Sequence, residues 1–211
     1  MCLSLRRTGC ATIIANHGND MHNLSDTPRL FYALWPDADT ASAFAALQPA
    51  IGGTPSRLEK LHLTLAFLGP RPASELPQLI AILQQLPDAL APLVFDRYGY
   101  FPKVQLSWAG LPQSSPALLA LHADLMARLH AAQLAPAPET HGYTPHVTLA
   151  RRSPPPPAEH FSPVIWHAGE LVLAESDPAS GNYRLLARRK LLSTCAAATM
   201  PKVAVTTTPE P

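Results

Sequence analysis

Two copies of one short pattern carry most of the chemistry that this sequence offers. The first reads His-Leu-Thr-Leu-Ala over residues 62–66, and the second reads His-Val-Thr-Leu-Ala over residues 146–150. Both copies lie on alternating stretches, so a strand would turn the histidine and threonine to one face and the apolar residue between them to the other. Burying those polar side chains in an apolar core would leave them unpaired. We therefore expect both copies to line a cleft.

Four polar side chains of the two copies suit acid–base chemistry at a phosphate; they are His62, Thr64, His146 and Thr148. Because the unperturbed pKa of histidine is ~6.5, one imidazole can be neutral and the other protonated near neutral pH. The hydroxyls can donate to non-bridging oxygens, and Arg151 on the second strand can hold a phosphate through two hydrogen bonds. A single His-x-Thr is usually structural, but two copies half a domain apart favour metal-free phosphodiester cleavage through an in-line pentacovalent state.

The elements that position the motifs are strands joined by hairpins or by single helices. Apolar alternation predicts strands over residues 29–35, 61–68, 93–101, 104–109, 146–151, 164–174 and 183–192. Helical periodicity predicts helices over residues 37–47, 74–86 and 115–134. The short connection at 102–103 predicts a hairpin. This pattern indicates an α+β fold with antiparallel sheets.

Composition excludes several classes of protein. The 24 prolines among 211 residues are about twice the usual ~5%, but only 10 glycines accompany them, which excludes collagen and wholesale disorder. A formal net charge of +1 argues against extensive wrapping of duplex nucleic acid. Three cysteines without a CxxC pair support neither a zinc site nor a disulfide framework. With no signal peptide or apolar span recognised, we expect a soluble, cytoplasmic protein.

The paired motifs and their surroundings resemble the 2H phosphoesterase superfamily, and within it the bacterial RNA 2′,3′-cyclic phosphodiesterases, historically called 2′-5′ RNA ligases. The blocks that carry the resemblance appear in order at residues 30–34, 61–69, 143–151 and 183–186. Together they span about residues 29–192. One departure is Lys103, since the family often has arginine in this hairpin, and lysine lacks the planar fork of the guanidinium.

The resemblance implies a bilobal fold of two pseudo-symmetric antiparallel sheets with outer helices and a central cleft. It implies hydrolysis of an RNA terminal 2′,3′-cyclic phosphate to a 2′-phosphomonoester, with no metal or cofactor. His62 would be the proton donor to the leaving 3′ oxygen, His146 the proton acceptor that activates water, and Arg151 the phosphate contact. The opposite direction would give 2′-5′ ligation without ATP. The expected partner is RNA with a cyclic phosphate end, tRNA fragments included, and the expected protein is a monomer without an obligate protein partner.

The sequence divides the chain into three segments and leaves two other functions open. We expect a flexible leader over residues 1–27, one bilobal domain over 28–195 and a disordered tail over 196–211, with Met21 as an alternative start. Tyr100 and Phe101, near the hairpin tip, are the candidates for stacking on a base. The alternative is that these rings pack in the core. Two other functions stay open: a phosphodiesterase for a small cyclic nucleotide or ADP-ribose cyclic phosphate, and a non-catalytic module that binds RNA ends.

Overall fold

The computed structural model describes residues 27–112, 115–137, 142–156, 159–167, 169–178 and 180–193. Apart from Thr27, the leader and the tail predicted from the sequence lie outside the described residues. The described strands are β1 (Arg29–Pro36), β2 (Thr54–Pro55), β3 (Leu63–Pro70), β4 (Ala89–Leu90), β5 (Leu93–Phe101), β6 (Leu106–Gly110), β7 (His146–Arg151), β8 (His160–Trp166), β9 (Gly169–Ser176), β10 (Tyr183–Lys190) and β11 (Leu192–Ser193). The described α-helices are α1 (Ala38–Ala45), α2 (Leu76–Gln85) and α3 (Pro116–Ala131).

A single large sheet organises the fold and places the two motif strands at its centre. Nine strands form it, in the order β10-β9-β1-β3-β7-β6-β5-β8, and β2 pairs with β7 beside this path. Every pairing in this sheet is antiparallel, while β4 and β11 form a separate parallel pair. The α+β fold is therefore confirmed. Its two halves, four strands on either side, meet where β3 pairs with β7.

One face of the sheet carries the main core. Alternate residues of the central strands lie on this face fully buried, among them Tyr32, Leu63, Leu65, Val147 and Leu149. They pack against a leucine-rich layer of the helices: Leu79, Leu83, Leu118, Leu121, Leu125 and Leu129. Burial of each such side chain contributes about 1.5–3 kcal/mol to folding. The opposite face is thereby left to the other half of each strand's residues, which include the motif histidines and threonines.

Two of the described helices, α1 and α3, cross between the two halves of the sheet. Helix α1 follows β1 of one half but packs on β8 of the other, whereas α3 follows β6 and packs on β3. Helix α2 covers β9 and β10 and also contacts α3. Helix α1 begins with Asp37 accepting a hydrogen bond from the Thr40 amide, and α3 begins with Ser115 accepting from the Leu118 amide. These crossings tie together two halves that share few backbone contacts at their junction.

The structure differs from the sequence-based elements in one important place. The strand predicted over residues 164–174 is wrong: β8 ends at Trp166 and β9 begins at Gly169. The two pieces belong to opposite ends of the sheet, because β8 pairs with β5 and β9 pairs with β1. The hairpin of β5 and β6 is confirmed. Within the described part of the chain, no helix is both long and apolar enough to span a membrane.

A buried hydrogen bond from β1 to α2 gives a test of this packing. The Tyr32 hydroxyl donates to the Leu79 carbonyl oxygen at 2.7 Å, in the layer between sheet and helix. Tyr32→Phe deletes only that donor and should lower the free energy of unfolding by about 1 kcal/mol. Urea denaturation of the purified variant measures the change, and an unchanged midpoint would contradict the bond.

Candidate active site

The pairing of the two motif strands puts their polar side chains on one face. Strands β3 and β7 are antiparallel and pair at Leu63 and Val147, the residues that directly follow the two histidines. Because the same motif position is paired on both strands, an approximate two-fold axis relates the copies. Leu63 and Val147 are fully buried on the helix side, so the flanking histidines and threonines turn to the opposite face. In this register, His62 faces Thr148 and Thr64 faces His146 across the strand pair.

Each histidine is held in the same way by the backbone two residues before it. His62 Nδ1 lies 2.8 Å from the Lys60 carbonyl oxygen, and His146 Nδ1 lies 2.8 Å from the Thr144 carbonyl oxygen. Since a carbonyl oxygen only accepts, Nδ1 must carry the proton in both rings. In a neutral ring Nε2 is then a base, and in a protonated ring it is an acid. Either histidine can therefore accept or donate a proton through Nε2 without losing its anchor.

Three aromatic rings surround His62. Trp35 stacks on it with the ring planes 3° apart and the centroids 5.1 Å apart. Phe31 lies 5.2 Å away, and Tyr183 presents an edge-on contact, also at 5.2 Å. Desolvation by these surroundings lowers the pKa of His62 to about 4, with the charges of His146 and Arg151 adding to the depression and the Lys60 carbonyl opposing it. His62 is therefore neutral at pH 7 in the protein without ligand.

His146 has aromatic neighbours of a different geometry. Phe101 makes an edge-on contact at 5.2 Å, and Trp108 lies tilted at 5.8 Å. The Trp108 indole fits between two glycines, since a Cβ on Gly99 would come within 2.0 Å of the ring and a Cβ on Gly110 within 2.3 Å. These glycines allow the indole to lie close to the sheet beside His146.

The two halves of the site differ in what the neighbouring strand supplies. On β6 the residue paired with His146 is Gly110. On β1 the corresponding neighbour of His62 is Trp35, which follows Leu34, the partner of Leu63. A glycine thus stands beside one histidine where a stacked indole stands beside the other. The pseudo-symmetric histidines therefore sit in unequal environments, and His62 is the one covered by a parallel ring.

Three further predicted residues carry groups that can bind an anion. Thr64 and Thr148 are half-buried, and within the described chain neither hydroxyl is held by a hydrogen bond. Arg151 ends β7, is exposed, and forms no ion pair with a described side chain. Its charge acts on His62. Two hydroxyl donors, two imidazoles and a guanidinium suit the oxygens of a phosphate group.

The two residues predicted to stack on a base are separated by the alternation of β5. Phe101 lies against His146, on the site face. The Tyr100 hydroxyl instead donates to the Ser153 carbonyl oxygen at 3.1 Å, which fastens the hairpin to the segment after β7. The described residues contain no group of three or more His, Cys, Asp or Glu side chains that could hold a metal ion.

Several site residues are not predicted from the sequence. Apolar alternation places Phe31 and Trp35 on a strand without indicating a function, and it places Tyr183 only in a closing strand. One signal is nevertheless present: β1 is apolar on both faces, which indicates that something covers its second face too. A second signal is Gly99 within a strand, since an isolated strand glycine indicates close approach of another group.

The fit of Trp108 between the glycines predicts the effect of adding one methyl group. Gly110→Ala should displace the indole, lower the free energy of unfolding by about 1–3 kcal/mol and move the ring-proton signals of His146 in the NMR spectrum. The double variant Gly110→Ala/Trp108→Phe should recover part of the loss, because the smaller ring leaves room for the methyl. A penalty that is equal in both backgrounds would contradict this account.

Comparisons with known proteins find a family model and relatives that cover most of this chain. The model of the 2′-5′ RNA ligase superfamily matches residues 35–178. A relative from Thermus thermophilus, named RNA 2′,3′-cyclic phosphodiesterase, is 31% identical over 181 residues, covering 77% of this chain and 90% of the relative. A relative of the same name from Escherichia coli is 28% identical over 170 residues, covering 76% of this chain and 94% of the relative.

Solved structures show the same architecture. The crystal structure of E. coli LigT in apo form has a TM-score of 0.64 at 25% identity, covering 80% of this chain and 100% of that one. The crystal structure of TT0787 of Thermus thermophilus has a TM-score of 0.60 at 29% identity, covering 78% and 98%. The resemblance inferred from the paired motifs is confirmed, and the chain belongs to the 2′-5′ RNA ligase superfamily of 2H phosphoesterases.

Proposed function

We propose that this protein hydrolyses the 2′,3′-cyclic phosphate at the 3′ end of RNA to a 2′-phosphomonoester. The observation that carries the proposal is the antiparallel pairing of the two motif strands, which turns both histidines and both threonines to one face. The names of the Thermus and E. coli relatives support the same substrate. A structure of E. coli LigT complexed with 3′-AMP, with a TM-score of 0.61, supports a nucleotide ligand in this fold.

In the proposed reaction, the two histidines act on opposite sides of the phosphorus. His146 Nε2 takes a proton from a water molecule, whose oxygen forms the new bond to phosphorus. The bond to the 3′ oxygen breaks, and His62 Nε2 donates the proton that this oxygen needs as it leaves. Arg151 and the two threonine hydroxyls stabilise the charge that builds on the non-bridging oxygens. After the product leaves, His146 gives its extra proton to solvent, and His62 keeps the neutral form that it has in the empty site.

Because the pKa of His62 is low, His62 gains the proton that it later donates only when the substrate binds. With a pKa of about 4, His62 is almost wholly unprotonated at pH 7 in the empty site. A bound cyclic phosphate brings a negative charge next to Nε2, and a neighbouring negative charge favours the protonated ring. His62 then acquires its proton as the phosphate enters, and the acid is formed where the leaving oxygen lies.

The same geometry would serve two further reactions. If a 5′-hydroxyl took the place of water, attack on the cyclic phosphate would give a 2′-5′ bond without ATP. A cyclic mononucleotide would present the same phosphate without the rest of the RNA. Comparing rates on an oligonucleotide and on 2′,3′-cyclic AMP separates a preference for RNA ends from a preference for small substrates. Phe101, beside His146, offers an apolar surface for a base.

Removing either histidine should abolish most of the activity. His62→Ala and His146→Ala should each lower turnover of an oligonucleotide with a 2′,3′-cyclic phosphate end by at least ~10²-fold, because each deletes one proton transfer. The assay contains EDTA, and its product, a 2′-phosphate, is identified by mass spectrometry.

His130→Ala is the matched control, since His130 is exposed on α3 and should leave turnover unchanged. Full turnover in either motif variant would overturn the assignment of that histidine. Binding of the RNA end without turnover by the wild-type protein would instead indicate a non-catalytic module.

The protonation of His62 predicts two pH effects. Its folded pKa of about 4 lies below the unfolded value of ~6.5, so the unfolded chain binds more protons between these values. The free energy of unfolding should therefore fall as pH drops from about 6.5 to about 4, with a smaller slope in His62→Asn. NMR titration should place the pKa of His62 near 4 in the free protein and higher with inorganic phosphate. If phosphate leaves this pKa unchanged, His62 is not the proton donor.

A further inference from the structure

The two halves of the site share a narrow junction. Strands β3 and β7 are paired through Leu63 and Val147 alone, whereas β1 pairs with β9 over eight successive residues. A reaction that needs both Nε2 atoms on one phosphate depends on a fixed separation between His62 and His146. Beyond this pair, β7 is paired with β2 on one side only, so little backbone pairing resists separation of the strands on the other side. Other contacts must therefore hold the motifs in place.

Tyr143 makes a contact of this kind. It lies just before β7, and its hydroxyl donates to the carbonyl oxygen of Thr64 at 3.2 Å. Thr64 belongs to the first motif, and Tyr143 leads directly into the second. The hydrogen bond therefore joins the backbone of one motif to the chain that enters the other, on the side of the Leu63–Val147 pair opposite to the pairing of β2 with β7.

The ring of Tyr143 is itself held by α3. It stacks on the imidazole of His122, with the planes 3° apart and the centroids 3.8 Å apart. Helix α3 packs on β3. The ring is thus fixed from its flat side, and its hydroxyl is aimed at the strand that carries Thr64.

The connection from α3 to β7 is also hydrogen-bonded at its start, close to the end of α3, to the residue that follows β3. Arg71, which directly follows β3, donates to the carbonyl oxygens of Leu134 and Ala135 at 2.8 and 3.1 Å. Its Nε also donates to the Leu68 carbonyl oxygen at 3.3 Å. Both described ends of the connection are therefore bound to β3 or to the residue after it, and Tyr143 is the fastening closer to His146.

We propose that Tyr143 is a positioning residue that sets the separation of the two motif histidines through its hydrogen bond to the Thr64 backbone. The role of Tyr143 rests on the proposed function for its effect on turnover, but not for its effect on geometry. In this role Tyr143 acts on the two motif histidines indirectly, through the strand that follows His62 and the chain that leads to His146. Loss of its hydroxyl should leave the stack on His122 in place and free the junction to widen.

Tyr143→Phe tests this with one atom removed. Turnover of 2′,3′-cyclic AMP should fall about tenfold in kcat while KM changes less than about threefold, because alignment in the transition state is more demanding than phosphate binding. Tyr32→Phe is the control, since it removes another tyrosine-to-carbonyl bond whose acceptor, the Leu79 carbonyl oxygen of α2, belongs to neither motif. A kcat loss in Tyr143→Phe no greater than in Tyr32→Phe would overturn the proposal.

A second measurement keeps the test independent of activity. In saturating inorganic phosphate, the imidazole NMR signals of His62 and His146 should differ between Tyr143→Phe and wild type, and coincide between Tyr32→Phe and wild type. Coincident signals in Tyr143→Phe would overturn the positioning role even in a protein that turns nothing over. Absence of turnover in wild type, with shifted signals in Tyr143→Phe, would overturn the proposed function and leave the positioning role standing. His122→Ala should shift the signals of His62 and His146 less in the Tyr143→Phe background than in the wild-type background, because the two substitutions disturb the same contact.

Discussion

A single antiparallel contact, Leu63 with Val147, sets the geometry of the whole site. Side chains alternate along a strand, so a slip of one residue in this pairing would turn one motif's histidine and threonine into the helical core. The contact joins equal positions of the two copies, and the two-fold relation between the histidines follows from that equality. The buried apolar residue between the histidine and the threonine of each motif thus fixes the face of the sheet to which both point.

The helical layer explains why this contact can be so small. Leu63 and Val147 have no exposed surface because α3 and the leucines of the main core cover them. The crossing of α1 and α3 to opposite halves adds connections that the central strand pair lacks. All of this packing lies on one face of the sheet. The other face is therefore free to collect polar side chains, with aromatic rings in place of a second helical layer.

Symmetry alone would give two identical histidines, and acid–base catalysis needs two different ones. The difference arises one strand away from each motif, where β1 supplies Trp35 and β6 supplies Gly110. A stacked indole excludes water from His62, and a neutral ring tolerates this better than a charged one, so its pKa falls to about 4. The repeated motif thus supplies the two histidines, while the unequal neighbours keep His62 neutral in the site before a phosphate arrives.

What the sequence could predict follows from the range of the interactions involved. The shared face of His62 and Thr64 depends only on local alternation, and the α+β class on the succession of elements, so both were within reach. The break between β8 and β9 was not, because continuous apolar alternation carries no mark of a change of strand partner. The stack of Trp35 on His62 and the bond from Tyr143 to Thr64 depend on which strand lies beside which. The paired motif is the exception among the contacts between strands. Because the same pattern occurs twice, the sequence alone indicates which two strands face one site. Contacts without such a copy, Tyr143 among them, become visible only once the strands are side by side.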